Sequence, residues 1–457
     1  MFFPLILVPV LGLFAGVHRY LWCRLVRDTT SPGSRPRRTG TAAAFVLPLT
    51  ALAALVSGRV GAPFALQQAL AWPGYLWLAL VLYLTLALLA GEVVRLVWLR
   101  APGWRPDERR QRRQRRQRRE GRERAKRAAA DEATTAAPPT ATASPSAAPP
   151  APVADASPDP GARPDPAPTL LPPRTPALPP AGAPPRRLFV ARAVAAAASL
   201  AAAGTVGYGT ATTLAGPRVK RVTVPLAKLP RAAHGFRIAV VSDIHLGPIL
   251  GASHTRRVVE TINRTQPDLV AIVGDLVDGN VADLRPATEP LRHLRARHGA
   301  YFVTGNHEYY SGAAQWVDHV RELGIHPLEN ARTELPGFDL AGINDLAGAS
   351  EHAGPDYARA LGGRDTARAV VLMAHQPVTI HDTVRHGVDL QLSGHTHGGQ
   401  MWPATYIAEA ANPTVAGLER YGGTQLYVTR GAGAWGPPVR VGAPPDITVV
   451  ELASLRA

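Results

Sequence analysis

Five short apolar runs in the second half of this chain end in the same kind of chemistry. Ile238-Ala-Val-Val-Ser leads to Asp243-Ile-His245, and Leu269-Val-Ala-Ile-Val-Gly leads to Asp275. Tyr301-Phe-Val-Thr-Gly leads to Asn306-His307, Val370-Val-Leu-Met-Ala to His375, and Leu390-Gln-Leu-Ser-Gly to His395-Thr-His397. The runs are rich in β-branched residues and bounded by Gly or polar residues, which is the pattern of strands. Helical patterns fall between several of them, at 255–263, 287–297 and 314–323. Alternating strands and helices predict a largely parallel sheet, whose carboxyl-terminal edge is where ligands bind. Five such ends in one region predict a single shared site.

The residue types say what that site holds. In extended backbone, residues i and i+2 project to the same side. Asp243 with His245, and His395 with His397, are therefore each expected to aim at one place. Gly274, Gly305 and Gly394 let the backbone turn there. Asp, His and Asn together offer mixed oxygen and nitrogen ligands, suited to Mn, Fe, Zn or Co rather than calcium. Asp275, central in the series, can bridge two ions about 3.5–4 Å apart, the spacing of two-metal hydrolases.

Taken together, Asp-x-His, Gly-Asp, Gly-Asn-His-Glu, a lone His and Gly-His-x-His resemble the calcineurin-like metallophosphoesterases. The resemblance runs from Arg237 to about Ile447, roughly the last half of the chain. It implies an α/β fold, a four-layer α/β/β/α sandwich, carrying two divalent metal ions. It assigns Asp243, His245 and His397 to one metal, Asn306, His375 and His395 to the other, and Asp275 to both. His307 would be catalytic, and Asp278 would orient it. The segment Arg430 to Arg440 resembles the tail of the membrane-anchored branch. Protein phosphatases of this superfamily follow the second Asp motif with an Arg that grips phosphate, whereas here Gly279 and Asn280 stand in that stretch. That departure disfavours phosphoprotein substrates and favours phosphodiesters or lipid-linked phosphates and pyrophosphates, hydrolysed by metal-activated water. A different class stays open: a non-catalytic membrane protein that binds phosphate ligands on the same fold. The complete donor set and His307 count against it. His234, His254, His293, His298, His319, His326, His352 and His386 read as surface or core residues. Asn344-Asp345 and His381 are candidate substrate contacts.

The first half is of another kind. Residues 1–104 carry three apolar stretches, Phe2 to Val17 (extending to Trp22), Ala42 to Ser57 and Trp72 to Ala90, each expected to cross a membrane. The connection 18–41 holds six arginines and the connection 58–71 only Arg59. By the positive-inside rule the former is cytoplasmic and Met1 lies outside. Residues 105–127 hold 13 basic and 4 acidic residues, so +9 of the net +16 sits in one run. No aromatic residue interleaves it and no nucleic-acid-binding fold accompanies it, so it reads as a cytoplasmic topology anchor touching anionic lipid. Residues 128–185 hold 18 of the 44 prolines and are expected to form a disordered linker. In 186–217, Arg186-Arg187-Leu188-Phe189 precedes an Ala/Gly-rich apolar stretch. That segment reads as a fourth membrane helix, and it also resembles a twin-arginine export signal. Residues 218–457 form the expected metallophosphoesterase domain, placed outside the membrane. The single cysteine, Cys23, excludes an intramolecular disulfide and a cysteine-based zinc cluster. The expected partners are the bilayer and a phosphate ester, lipid-linked or from the cell wall. The sequence leaves the oligomeric state open.

Overall fold

A computed structural model describes residues 3–100, 115–125 and 186–455. The expected linker at 128–185 lies outside the described residues. Residues 1–91 and 186–457 form one unit, and residues 92–185 another. The larger unit begins with three helices, α1 (Phe3–Trp22), α2 (Arg35–Ser57) and α3 (Phe64–Arg100), the last running on into the second unit. In the Arg-rich run, residues 115–125 form α4, where Arg116 bonds Glu120 one turn on. Helix α5 spans Arg186–Leu214. Three described helices are long and apolar enough to cross a bilayer: Arg35–Ser57, Phe64–Val94 and Leu188–Leu214. The first expected span forms α1, whose side chains before residue 8 lie outside the described residues.

Local signals start and join these helices. Ser34 caps α2 by accepting from Arg37 N, and Pro36 stands in its first turn. Ala79, Tyr83 and Leu88 of α3 pack with Ala198, Ala202 and Val206 of α5. Small residues on α5 allow the backbones to come close, as they do between membrane helices. Trp77 donates to His18 Nε2 at 3.1 Å, joining α3 to α1. Arg192 Nε donates to Thr29 O at 2.9 Å, joining the start of α5 to the α1–α2 connection.

The domain that follows is built from β1 (Arg218–Leu226), β2 (Phe236–Val241), α6 (Ala252–Arg264), β3 (Leu269–Val273), α7 (Val281–Thr288) and β4 (Ala300–Val303). Then come α8 (Asn306–Ser311), α9 (Ala313–Glu322), β5 (His326–Pro327), β6 (Ala331–Leu335), β7 (Phe338–Gly342) and α10 (Tyr357–Leu361). The rest is β8 (Ala369–Met373), α11 (Ile380–Thr383), β9 (Leu390–Ser393), α12 (Thr405–Ala411), β10 (Gly417–Tyr421), β11 (Thr424–Val428) and β12 (Asp446–Ser454). One sheet has the order β1-β12-β2-β3-β4-β5 and the other β10-β11-β9-β8-β7-β6.

Both sheets are mixed, not simply parallel. The last strand, β12, returns between β1 and β2 and runs antiparallel to β2, with Val450 opposite Ile238. Hairpins close the far edge of the second sheet on both sides, at β6–β7 and β10–β11. The five site-bearing strands nevertheless lie side by side within parallel blocks, β2-β3-β4 and β8-β9.

Alternation along β2 explains the layers. Ile238 and Val240 join Val273, Phe338, Val371 and Leu392 between the sheets, while Ala239 and Val241 face Val258 and Ile262 of α6 and Trp316 of α9. The second sheet turns Val370 and Leu372 outward against Leu361 of α10. The result is the four-layer α/β/β/α arrangement. Each fully buried Val, Ile or Leu contributes roughly 1.5–3 kcal/mol, so the central layer fixes the strand ends rigidly.

Candidate metal centre

The donors do not sit in extended backbone. Asp243, His245, Asp275, His395 and His397 all adopt positive φ, between 47° and 71°. They occupy left-handed turns just past the strand ends, which corrects the expectation that i and i+2 aim together because the chain is extended. For non-glycine residues such backbone costs of order 1–3 kcal/mol each and gathers at functional sites. Neighbouring turns hold it in place: Asp243 N donates to Gly274 O at 3.1 Å and His245 N to Asp275 O at 3.2 Å. Of the three glycines expected to ease turning, Gly274 has positive φ, at 79°. Gly305 and Gly394 serve close approach instead, since a Cβ at either would overlap the carboxylates of Asp275 and Asp243 respectively.

Two groups of donors result. Asp243, His245 and His397 converge, as do Asp275, His375 and His395. Asp275 Oδ2 lies between them, 3.2 Å from His375 Nε2 and 3.7 Å from His245 Nε2. The two histidines two residues apart, His395 and His397, thus go to different groups. Asn306 stands at the start of α8, its Oδ1 buried without a hydrogen-bond partner. His375 Nε2 is likewise buried and faces the Asp275 carboxylate at 3.2 Å, while its Nδ1 donates to Val273 O at 2.8 Å. A buried polar atom left unpaired costs about 1–3 kcal/mol. Asn306 Oδ1, such an atom beside a buried carboxylate and imidazoles, fits a cation ligand, and mixed oxygen and imidazole donors fit a divalent transition metal.

The protons are arranged around the same place. Asp278 Oδ1 accepts from His245 Nδ1 at 2.9 Å and lies 2.7 Å from His307 Nδ1. Burial alone would raise the Asp278 carboxyl, but His245 and His307 outweigh it and hold its pKa at about 2. Burial disfavours the charged form of His245, yet Asp278, Asp275 and Asp243 overcome that and push it up to about 9. His395 is driven down to about 4 by burial and by His375. Without cations, then, the centre is a set of buried carboxylates held together by protons.

Two functional residues have no counterpart in the sequence reading. Glu308, the last residue of Gly-Asn-His-Glu, is fully buried and accepts from Asp275 N, Leu276 N and Gly305 N at 2.6–3.0 Å. It clamps two strand ends with one carboxylate, and burial together with Asp275 raises its pKa to about 7. Arg440 is also buried, and burial lowers its pKa to about 10. It donates to the carbonyls of His397, Arg430 and Gly433, and its Nη2 lies 3.1 Å from His397 Nδ1. Burial and the neighbouring Arg440 push His397 well below the usual histidine range, so this ring stays uncharged with its Nε2 3.0 Å from His245 Nε2. The Glu in the motif and the Arg closing the tail were visible as letters. Their partners, distant in sequence, were not.

The candidate substrate contacts are occupied otherwise. Asp345 caps a turn at Ala347 and accepts from Gln376, and Asn344 donates to Ala353 O. His381 is exposed and its ring lies 6.3 Å from that of Tyr421.

A cavity of about 450 Å³ opens onto His245, Asp278 and His307. A larger hollow, about 750 Å³, lies at the amino ends of β2, β3 and β4 around Arg237, Asp268 and Arg297. That is the strand edge opposite the donors, and none of the site residues reaches it.

Comparison with known proteins agrees with this geometry. A family profile described as Calcineurin-like phosphoesterase matches residues 236–399. A Danio rerio transmembrane protein with metallophosphoesterase domain is 40% identical over 259 residues, 54% of this chain and 59% of its own length. A metallophosphoesterase of Aquifex aeolicus is 34% identical over 51% of this chain and 91% of its length. The Bacillus subtilis metallophosphoesterase YkuE is 32% identical over 57% of this chain and 93% of its length. The chain spans less than three fifths of the length of the transmembrane relatives it matches.

Proposed function

The chain belongs to the calcineurin-like metallophosphoesterase family, and from that premise we propose a membrane-anchored phosphoesterase acting on phosphodiester or lipid-linked phosphate and pyrophosphate bonds. The observation that carries this reading is the orphaned Asn306 Oδ1 inside a ring of buried carboxylates and imidazoles. Asp243, His245 and His397 would hold one divalent ion, Asn306, His375 and His395 a second, with Asp275 shared. Bound there, the ions would supply Lewis-acid charge and lower the pKa of water toward neutrality.

The chain's own residues handle the proton. Asp278, ionised, accepts a hydrogen bond from His307 Nδ1–H, so that the doubly protonated ring hands its Nε2 proton to the departing oxygen and is left a neutral imidazole. General acid catalysis of this kind is worth about 10²–10⁴ in rate. Asp278 fixes the His245 tautomer at the same time, so one carboxylate serves binding and chemistry. Preference for diesters over phosphoproteins is supported by the stretch after Asp278. Gly279 O accepts from Trp316 Nε1, and Asn280 is spent capping α7, so no cation grips phosphate from there.

The test uses the full chain in detergent, stripped of metal and reloaded with Mn, Fe, Zn or Co. Hydrolysis of bis-p-nitrophenyl phosphate is measured beside the monoester, with Asp275→Asn as control. Metal-dependent diester cleavage that Asp275→Asn abolishes supports the reading. Two bound ions without turnover would move the protein to the ligand-binding class, and no bound metal would overturn the site.

A further inference from the structure

The cavity over the candidate metal centre has two unlike walls. One is the domain, with His245, Asp278 and His307. The other is the α2–α3 hairpin, which contributes Leu55, Arg59, Phe64, Tyr75 and Leu78. Both hairpin helices are apolar and long enough to span a bilayer. A site for a wholly water-soluble ester has no use for walls of that kind.

Charge and aromatic residues follow the same division. Arg59, at the hairpin tip, is the only Arg or Lys among the described residues lining the cavity. It is exposed and its Nη1 donates to Leu55 O at 2.8 Å, which leaves the rest of the guanidinium for an anion. Tyr310 and Trp435 flank His307, their rings 5.5 and 5.8 Å from it. Both line the cavity and are exposed, at 74% and 54%. Exposed aromatic rings suit a boundary between polar headgroup and apolar chain.

We propose that the α2–α3 hairpin is half of the substrate site, and that the substrate is an amphiphilic phosphate ester drawn from the bilayer. Arg59 holds its anionic headgroup over the metal centre, standing in for the phosphate-gripping cation that Gly279 and Asn280 do not provide. The apolar faces at Leu55, Phe64 and Leu78 take the first part of the hydrocarbon chain. This rests on the phosphoesterase reading above and narrows its substrate to one held in the membrane.

The experiment compares two diesters with the same reacting atoms and leaving group, ethyl p-nitrophenyl phosphate and hexadecyl p-nitrophenyl phosphate. The metal-loaded full chain is assayed in one detergent, beside Arg59→Gln and a Leu55→Ser/Leu78→Ala variant. The expected result is a kcat/KM at least about tenfold higher for the hexadecyl ester. In Leu55→Ser/Leu78→Ala that ratio falls toward one. In Arg59→Gln the KM rises about tenfold for both esters, the scale of one charged hydrogen bond. Equal kcat/KM for the two esters overturns the inference and leaves the phosphoesterase standing. So does a chain preference that survives in the hairpin variant, because it then comes from the micelle. Hydrolysis of neither ester removes the phosphoesterase reading itself, and the inference with it.

Discussion

Asp278 is asked to hold two histidines with one oxygen, 2.9 Å from His245 Nδ1 and 2.7 Å from His307 Nδ1. The two contacts predict different losses. His307→Ala removes the proton donor alone, so kcat on an unactivated diester falls about 10²–10⁴ while metal content, read by elemental analysis, stays at the wild-type level. Unchanged kcat would remove His307 from the chemistry. Protons and cations compete here as well. The folded pKa of His245, about 9, lies above its ordinary 6.5. Its protonated form therefore stabilises the metal-free fold fully below pH 6.5, and that contribution is lost as pH rises through 9. A divalent ion must displace the same proton, so its binding strengthens over that window and releases protons. The rise in Tm on adding Mn is expected to be larger at pH 9 than at pH 6.5, and proton release at pH 7.5 is measurable with an indicator dye. A pH-independent Tm shift would mean that His245 does not bind metal.

Helix α5 reaches the metal centre through one segment of the domain. Gly209 O accepts from Arg440 N at 3.1 Å, and a Cβ on Gly209 would collide with Val439. Arg440 in turn bonds His397. Gly209→Val is thus expected to push the Val439–Val441 strip away and disturb His397 without touching any donor. Its readout is metal affinity: weakened binding of one ion per chain, beside a modest fall in Tm. A fall in Tm with both ions bound as tightly as before would make the contact structural only. This coupling also marks where sequence reading stops. The donors were legible because Asp, His and Asn recur after apolar runs, a local pattern that survives without knowledge of the fold. The runs before them were legible as strands for the same reason, but which of Ile238 to Val241 face each layer was not, because all four are apolar. The left-handed turns at Asp243 and His397 were not, because tertiary pairing imposes them on residues that do not favour them. Neither was the antiparallel return of β12, nor the bond from Arg440 to His397, 43 residues away. Such contacts follow from the fold, and a linear pattern carries no trace of them.

At the scale of the whole molecule, α5 links the arginine-rich connection to the domain. Its start is tied by Arg192 to Thr29, in the connection rich in arginine, and its far end at Gly209 meets the domain. Residues 192 to 209 rise roughly 26 Å at 1.5 Å per residue, close to the roughly 30 Å of a hydrocarbon core. The hairpin tip at Arg59 lies at the domain's end of the bundle, since it lines the same cavity as His307. If the arginine-rich connection is cytoplasmic, as the positive-inside rule predicts, both the tip and the domain would belong on the outer face. Ala198, Ala202 and Val206 of α5 pack against α3, a contact that cleavage of α5 as a signal would remove. The single cysteine makes the orientation measurable. In a Cys23→Ser background, Val60→Cys and Tyr406→Cys are expected to react with a membrane-impermeant maleimide on intact cells, both positions being exposed. Ser31→Cys, in the arginine-rich connection, reacts only after permeabilisation. Labelling of Ser31→Cys alone on intact cells would invert the orientation and place the metal centre in the cytoplasm. Labelling of Val60→Cys without Tyr406→Cys would be graver, because it would separate the hairpin from the domain and dissolve the cavity between them. The two-walled substrate site and the outer-face location therefore stand on one shared requirement, that Arg59 and His307 face the same compartment.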